Sequence, residues 1–138
     1  MKKIGFTCGA FDLCHAGHYL MFKDCKEYCD YLIVGLHTNP NLDRPNKNIP
    51  IQSVEERKII LSGIRYIDEI ILYDTENDLY NLLLDLNNRF SGQRLPKEFV
   101  RIIGSDWKNK KFTGYDLPIN IHYHNRSHNF SSSELRKR

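Results

Sequence analysis

The sequence predicts an α/β fold: one domain over residues 1–138, built on a doubly wound, five-stranded parallel sheet. Three observations carry this. Short apolar runs alternate along the chain with helix-patterned segments. The run Tyr31–Leu36 is hydrophobic throughout rather than alternating, as in a parallel sheet covered on both faces. Polar segments follow the strand ends at Gly9–His18, His37–Gln52, Ser105–Leu117 and His124–Ser133, so they can converge on one cleft.

The elements follow in order. Ile4–Cys8 is the first strand, with the first helix patterned over Tyr19–Cys29 and opened by His15 and His18. Tyr31–Leu36 is the second strand, and the Asn- and Pro-rich Thr38–Gln52 is a loop. Ser53 caps a helix running to about Gly63, with Glu56 three residues on completing a capping box. Glu69–Leu72 is the third strand. Thr75 or Asn77 caps the next helix, which carries Leu79, Leu82, Leu83 and Leu86 on one side. Asn88–Lys97 reads as an exposed turn and a surface insertion. Val100–Gly104 is the fourth strand, Asp106–Pro118 a polar loop around Phe112, and Ile119–Tyr123 an alternating fifth strand near an edge. Ser131 or Ser132 caps a short last helix through Arg136.

Composition narrows the function classes. The chain has 138 residues, 41% hydrophobic and 27% charged, as in an ordinary globular domain. The net charge of +3 suits anionic small molecules and is too small to indicate nucleic acid. No apolar run approaches the length of a membrane span, and Met1-Lys2-Lys3 leads directly into a strand without a signal-peptide core, so a cytoplasmic location is expected. The four cysteines at 8, 14, 25 and 29 read as free thiols, since they crowd the first thirty residues and match no common zinc spacing. His122, His124 and His128 read as edge-strand and loop histidines rather than a metal site. The turn after the first strand lacks the G-x-G-x-x-G pattern, which argues against a dinucleotide-dependent dehydrogenase.

His15-Ala16-Gly17-His18 is the sharpest feature. A helix N-terminus offers unpaired N–H groups and the positive end of the helix dipole, and it binds phosphates. Two imidazoles there can add hydrogen bonds to phosphate oxygens. The segment Gly9–His18 resembles the HxGH motif of the nucleotidyltransferase superfamily, whose domains are Rossmann-like, and Phe11-Asp12 resembles its cytidylyltransferase branch. Glu56-Arg57 and Arg65-Tyr66-Ile67-Asp68-Glu69-Ile70 resemble that branch's "ER" and "RYVDEV" segments. Gly104-Ser105-Asp106-Trp107 resembles "GDDW", and Arg126 with Ser131-Ser132 resembles "RTEGIST". The ordered set is most similar to the glycerol-3-phosphate cytidylyltransferase family. The stretch Ser127–Phe130 departs from that pattern, losing its Gly and gaining His128 and Phe130.

The resemblance implies transfer of CMP from CTP to a small phosphorylated alcohol, glycerol 3-phosphate in the first place, with release of pyrophosphate. His15, His18, Lys47 (with Arg44 as second choice) and Arg126 would be catalytic. Gly9, Ala10, Phe11, Asp12, Gly17, Asp106, Ser131 and Ser132 would bind nucleotide, with Asp12 orienting the histidines or lying near the metal. Arg57, Arg65, Asp68 and Trp107 would bind substrate, with Arg65 and Asp68 between the site and a homodimer contact. Mg²⁺ would arrive on the triphosphate, without a protein metal site of its own. An adenylyltransferase acting on a sugar phosphate is the alternative enzyme. A nucleotide-binding module without turnover is the alternative of a different class.

Overall fold

The computed structural model describes residues 3–46, 49–125 and residue 135. Five strands, β1 (Lys3–Gly9), β2 (Tyr31–His37), β3 (Glu69–Tyr73), β4 (Glu98–Gly104) and β5 (Asn120–His124), form one sheet in the order β3-β2-β1-β4-β5. Every pairing is parallel. The expected doubly wound α/β fold is therefore present. Three helices connect the strands: α1 (Ala16–Tyr28), α2 (Val54–Ser62) and α3 (Glu76–Ser91).

Strand alternation divides the core in two. Ile4 and Phe6 of β1, Ile33 of β2 and Phe99 of β4 pack with Leu79, Leu83, Leu86 and Phe90 of α3. Leu32, Val34 and Leu36 of β2 and Ile102 of β4 pack with Phe22 and Cys25 of α1 and Leu61 of α2. Helices α1 and α2 thus cover one face and α3 the other. From β1 the chain proceeds to β2 and β3 on one side, then crosses to β4 and β5 on the other. The switch point lies between β1 and β4, where ligands of such sheets bind.

Two boundaries differ from expectation by three residues or more. The turn expected from Asn88 is helical as far as Ser91. Phe90 extends the apolar stripe Leu79–Leu83–Leu86, is 4% exposed, and stacks on Phe99 with ring centroids 6.2 Å apart. Its burial outweighs the weak helix propensity of the two asparagines beside it. Helix α1 starts at Ala16, three residues before the first residue of the expected apolar pattern, because His15 itself supplies the N-cap.

The capping boxes at Ser53 and Thr75 are formed as the sequence indicates. All four cysteines are free thiols. Burial pushes the Cys25 thiol up to about 12, so it stays protonated and behaves as a small core side chain. Among the described residues no helix is long and apolar enough to cross a membrane.

Candidate active site

The loop from β1 to α1 is held in an unusual shape. Phe11 and Leu13 both have positive φ, +50° and +51°. For residues with a Cβ, such backbone costs about 1–3 kcal/mol each and persists only where surroundings enforce it. Here they do. Phe11 is 8% exposed and packs against Phe22, with ring centroids 5.1 Å apart. The Asp12 carboxylate accepts hydrogen bonds from the backbone N–H of Ile51 (2.8 Å) and Gln52 (2.9 Å). The Leu13 N–H donates to Gln52 Oε1 at 2.9 Å. The loop is thereby clipped to the segment that enters α2.

This clip delivers the two histidines in a defined tautomer. Gly17 N–H donates to His15 Nδ1 at 3.0 Å, and His15 N–H donates to His18 Nδ1 at 3.2 Å. Both Nδ1 atoms are acceptors, so in the neutral rings the proton is on Nε2 of each. The rings lie 4.0 Å apart, centroid to centroid. Phe11 meets His18 edge-on at 5.6 Å. The outcome is two Nε2–H donors at the positive end of a helix, at the carboxyl end of β1.

Beside them opens a pocket of about 230 Å³ over the switch point. Thr7 to Ala10 of β1 and its loop, Arg101 to Gly104 of β4, and Trp107 line it. Met21 of α1 lines it as well, one helical turn after His18 on the same side of α1. The histidines therefore flank the pocket at Met21 rather than forming its wall.

Residues 6–138 match the model of the family described as cytidylyltransferase-like. The chain belongs to the cytidylyltransferase-like family. This places it in the nucleotidyltransferase superfamily. Among curated proteins it is similar to the bifunctional protein HldE of Caulobacter sp. (strain K31), 37% identical over 85% of this chain and 22% of the relative. The same protein of Campylobacter concisus (strain 13826) is 32% identical over 84% of this chain and 22% of the relative. The chain thus spans about a fifth of the length of these relatives. Among solved structures it is similar to a lipopolysaccharide core biosynthesis protein of Thermoplasma volcanium, with TM-score 0.66, 23% identity, and 94% of this chain and 99% of the other covered. A putative nicotinate-nucleotide adenylyltransferase of Vibrio parahaemolyticus aligns with TM-score 0.64, 17% identity, and coverage of 99% and 86%. At these identities the two structures attest the fold alone.

Within the cytidylyltransferase-like domain the expected site residues fall into three groups. Gly9, Ala10, Trp107 and Arg44 line the pocket, and Asp106 is exposed in the short 3₁₀ turn beside it. Gly17 is buried in the first turn of α1, where its N–H donates to Nδ1 of the N-cap His15. Phe11 and Asp12 support the site from beneath. Phe11 is in the core, and the Asp12 carboxylate accepts from backbone N–H groups of the α2 entry. Lys47, Arg126, Ser131 and Ser132 lie outside the described residues, as does the expected last helix apart from the helical Leu135.

Three residues expected to bind substrate are placed elsewhere. Arg57 is 2% exposed, and its guanidinium donates to the carbonyls of Gln52 (3.2 Å), Ala10 (3.0 Å), His37 (2.7 Å) and Thr38 (2.7 Å). These bonds tie the site's loops together. Asp68 sits at the opposite edge of the sheet, where its carboxylate accepts from Leu32 N–H at 2.8 Å and pairs with Lys26. Arg65 lies on the surface with Tyr66, donating to its hydroxyl at 2.7 Å, away from the pocket. His122 stacks on Tyr28 at 3.7 Å, while His124 reaches the pocket. Among the described residues no cluster of three or more His, Cys, Asp or Glu is arranged to hold a metal.

Sequence reasoning missed part of the pocket: Cys8, Tyr73, Glu76, Arg101 and Thr113. Arg101 had a visible signal, since it is the one charged residue inside the apolar run Val100–Ile103. Thr113 lies in Ser105–Leu117, a segment expected at the cleft, but nothing singled it out there; Glu76 had no signal, because it reaches the pocket only through the crossover of α3.

Proposed function

We propose that this domain transfers a nucleotidyl group from a nucleoside triphosphate to the phosphate of a small phosphorylated alcohol, with release of pyrophosphate. The observation that carries the reading is the pair of tautomer-fixed Nε2–H donors of His15 and His18 at the N-terminus of α1, beside a pocket at the switch point. Their donors and the helix dipole suit the negative charge that grows on the non-bridging oxygens of the α-phosphate. The acceptor's phosphate is largely ionised at neutral pH and needs no general base. One of its oxygens forms the new bond to the α-phosphorus. The bond from that phosphorus to the bridging oxygen breaks, and pyrophosphate leaves with the electron pair. The protein positions the partners and neutralises charge, and forms no covalent intermediate.

By the resemblance, Lys47, Arg126, Ser131 and Ser132 complete the contacts to the triphosphate. Mg²⁺ enters as part of the substrate, bound by phosphate oxygens and water. CTP is the first choice of donor, on the Phe11-Asp12 pair with the segments Arg65–Ile70 and Gly104–Trp107, with glycerol 3-phosphate as acceptor. ATP is the second reading. The departure at Ser127–Phe130 favours it, as does the name adenylyltransferase on the Vibrio protein.

The test is pyrophosphate release, crossing CTP, ATP, GTP and UTP with phosphorylated alcohols and sugars. The expected result is fastest release with CTP and glycerol 3-phosphate. Equal or faster release with ATP moves the domain to adenylyl transfer. No release with any pair, together with saturable nucleotide binding, leaves a binding module and rejects the enzyme.

A further inference from the structure

Arg101 is the pocket residue that this reaction leaves without a task. Side chains of β4 alternate between the two cores: Phe99 packs toward α3 and Ile102 toward α1 and α2. Arg101 falls on the side of Phe99, where the pleat calls for an apolar residue, and it is 6% exposed. Burying a cation is costly unless something answers its charge. Among the described residues no carboxylate forms an ion pair with it.

Its hydrogen bonds do not answer the charge either. One donor goes to the Thr113 carbonyl, and another reaches the Cys8 sulfur at 3.7 Å, a weak acceptor. The guanidinium lies 5.0 Å from the centre of the Phe112 ring. Glu76 is the carboxylate among the lining residues, and it is engaged: one oxygen is 3.7 Å from Arg44 and the other accepts the Thr113 hydroxyl at 2.6 Å. The floor of the pocket is therefore positive, with Arg44, Glu76 and Thr113 offering donors and acceptors around it.

Resting on the nucleotidyl-transfer reading, we infer that Arg101 is an acceptor-specificity residue that binds the phosphate of a short phosphorylated polyol seated on the α3 side of the switch point. A planar guanidinium suits a phosphate through paired N–H donors. The hydroxyls of a polyol suit Glu76 and Thr113. A volume of about 230 Å³ is below the range usual for drug-sized ligands and fits a short acceptor.

Trp107 is the one tryptophan and lines the pocket, so its fluorescence reports occupancy without turnover. The full chain is titrated with inorganic phosphate, glycerol 3-phosphate and glycerol. Wild type is expected to respond saturably to both phosphates and not to glycerol. Arg101→Met keeps an unbranched stem without the charge. It is expected to bind both phosphates about tenfold or more weakly, with affinity for the nucleotide unchanged. Arg101→Lys is expected to fall between the two. If circular dichroism shows Arg101→Met unfolded, Arg101→Lys decides, since the ammonium keeps the charge and loses the fork.

Wild-type phosphate affinity in the variant that decides, or no saturable response of wild type to either phosphate, overturns the inference. A change in melting temperature with phosphate affinity unmoved also overturns it, and leaves Arg101 a clip for the Thr113 carbonyl. The two readings fail separately. Arg101-dependent phosphate binding without pyrophosphate release from any nucleotide keeps the anion site and discards the transfer. Turnover with the acceptor KM unchanged in Arg101→Met does the reverse.

Discussion

Arg57 and Arg101 are both buried, at 2% and 6% exposed, and they stand on the two sides of the site. Arg57, on the side of α1 and α2, directs four of its five N–H groups at carbonyls of three segments: the loop after β1, the loop after β2 and the entry to α2. Burial lowers its pKa, and Asp12 nearby opposes that lowering in part. Arg101, on the side of α3, has one carbonyl and one thiol. The same residue type thus builds a closed scaffold on one side and an open cationic floor on the other. Burial does not tell these roles apart. The inventory of acceptors does.

The comparison breaks most readily at Arg57. Arg57→Met removes four donors and leaves buried carbonyls unmet. A loss of at least about 3 kcal/mol is expected, a large part of the about 5–15 kcal/mol that holds a typical domain. Arg57→Lys should recover little, because a single ammonium cannot span carbonyls on three segments. Urea unfolding measures both variants. A loss under about 1 kcal/mol in Arg57→Met would remove the scaffold role.

The next effect sharpens the closed side, since its rigidity exists to present His15 and His18. His18→Ala is expected to lower turnover by about 10²–10³, the usual effect of losing one preorganised donor. It also removes half of the reciprocal cap of α1, at about 0.5–2 kcal/mol. His18→Gln separates the two losses. A Gln at this position can reach back to the His15 N–H as in a capping box, so stability should return while turnover stays at least about tenfold down. Steady-state kinetics with urea unfolding reads this. Wild-type turnover in both variants would reject the catalytic assignment.

How much of this was legible in the sequence follows the same division. The sheet, its parallel sense and the placement of His15 and His18 came from local patterns: apolar runs, capping boxes and a motif within one loop. The inward role of Arg57 had a trace, since Arg57 and Leu61 are four apart on one face of α2, and both are buried. What stayed hidden was tertiary. Asp12 and Gln52 are 40 residues apart and meet only because both loops end at the same sheet edge. Phe90 read as part of a turn because Asn88 and Gly92 flank it, yet its spacing from Leu86 and its stack on Phe99 make it core. The open side of the site was the least visible, because its walls come from α3 and from the loops after β2 and β4.

The smallest expected effect tests whether the pocket wall at β5 is dry. His124, at the end of β5, lines the pocket, and desolvation holds its pKa below the ordinary 6.5. Asp24 and Asp106 oppose this lowering, while His122 adds to it. The sign follows from linkage: the native state keeps the imidazole neutral at a pH where the unfolded chain already takes up the proton. Stability therefore begins to fall as pH drops through 6.5, and the loss levels off once pH is below the native pKa. The urea midpoint of wild type should decline between pH 7 and pH 5 more steeply than that of His124→Gln, which carries no titrating ring. Both proteins carry the same carboxylates, so the difference between the two curves reports the histidine. Parallel curves would mean that His124 is as well hydrated in the native state as in the unfolded chain, and that the pocket wall at β5 is wet.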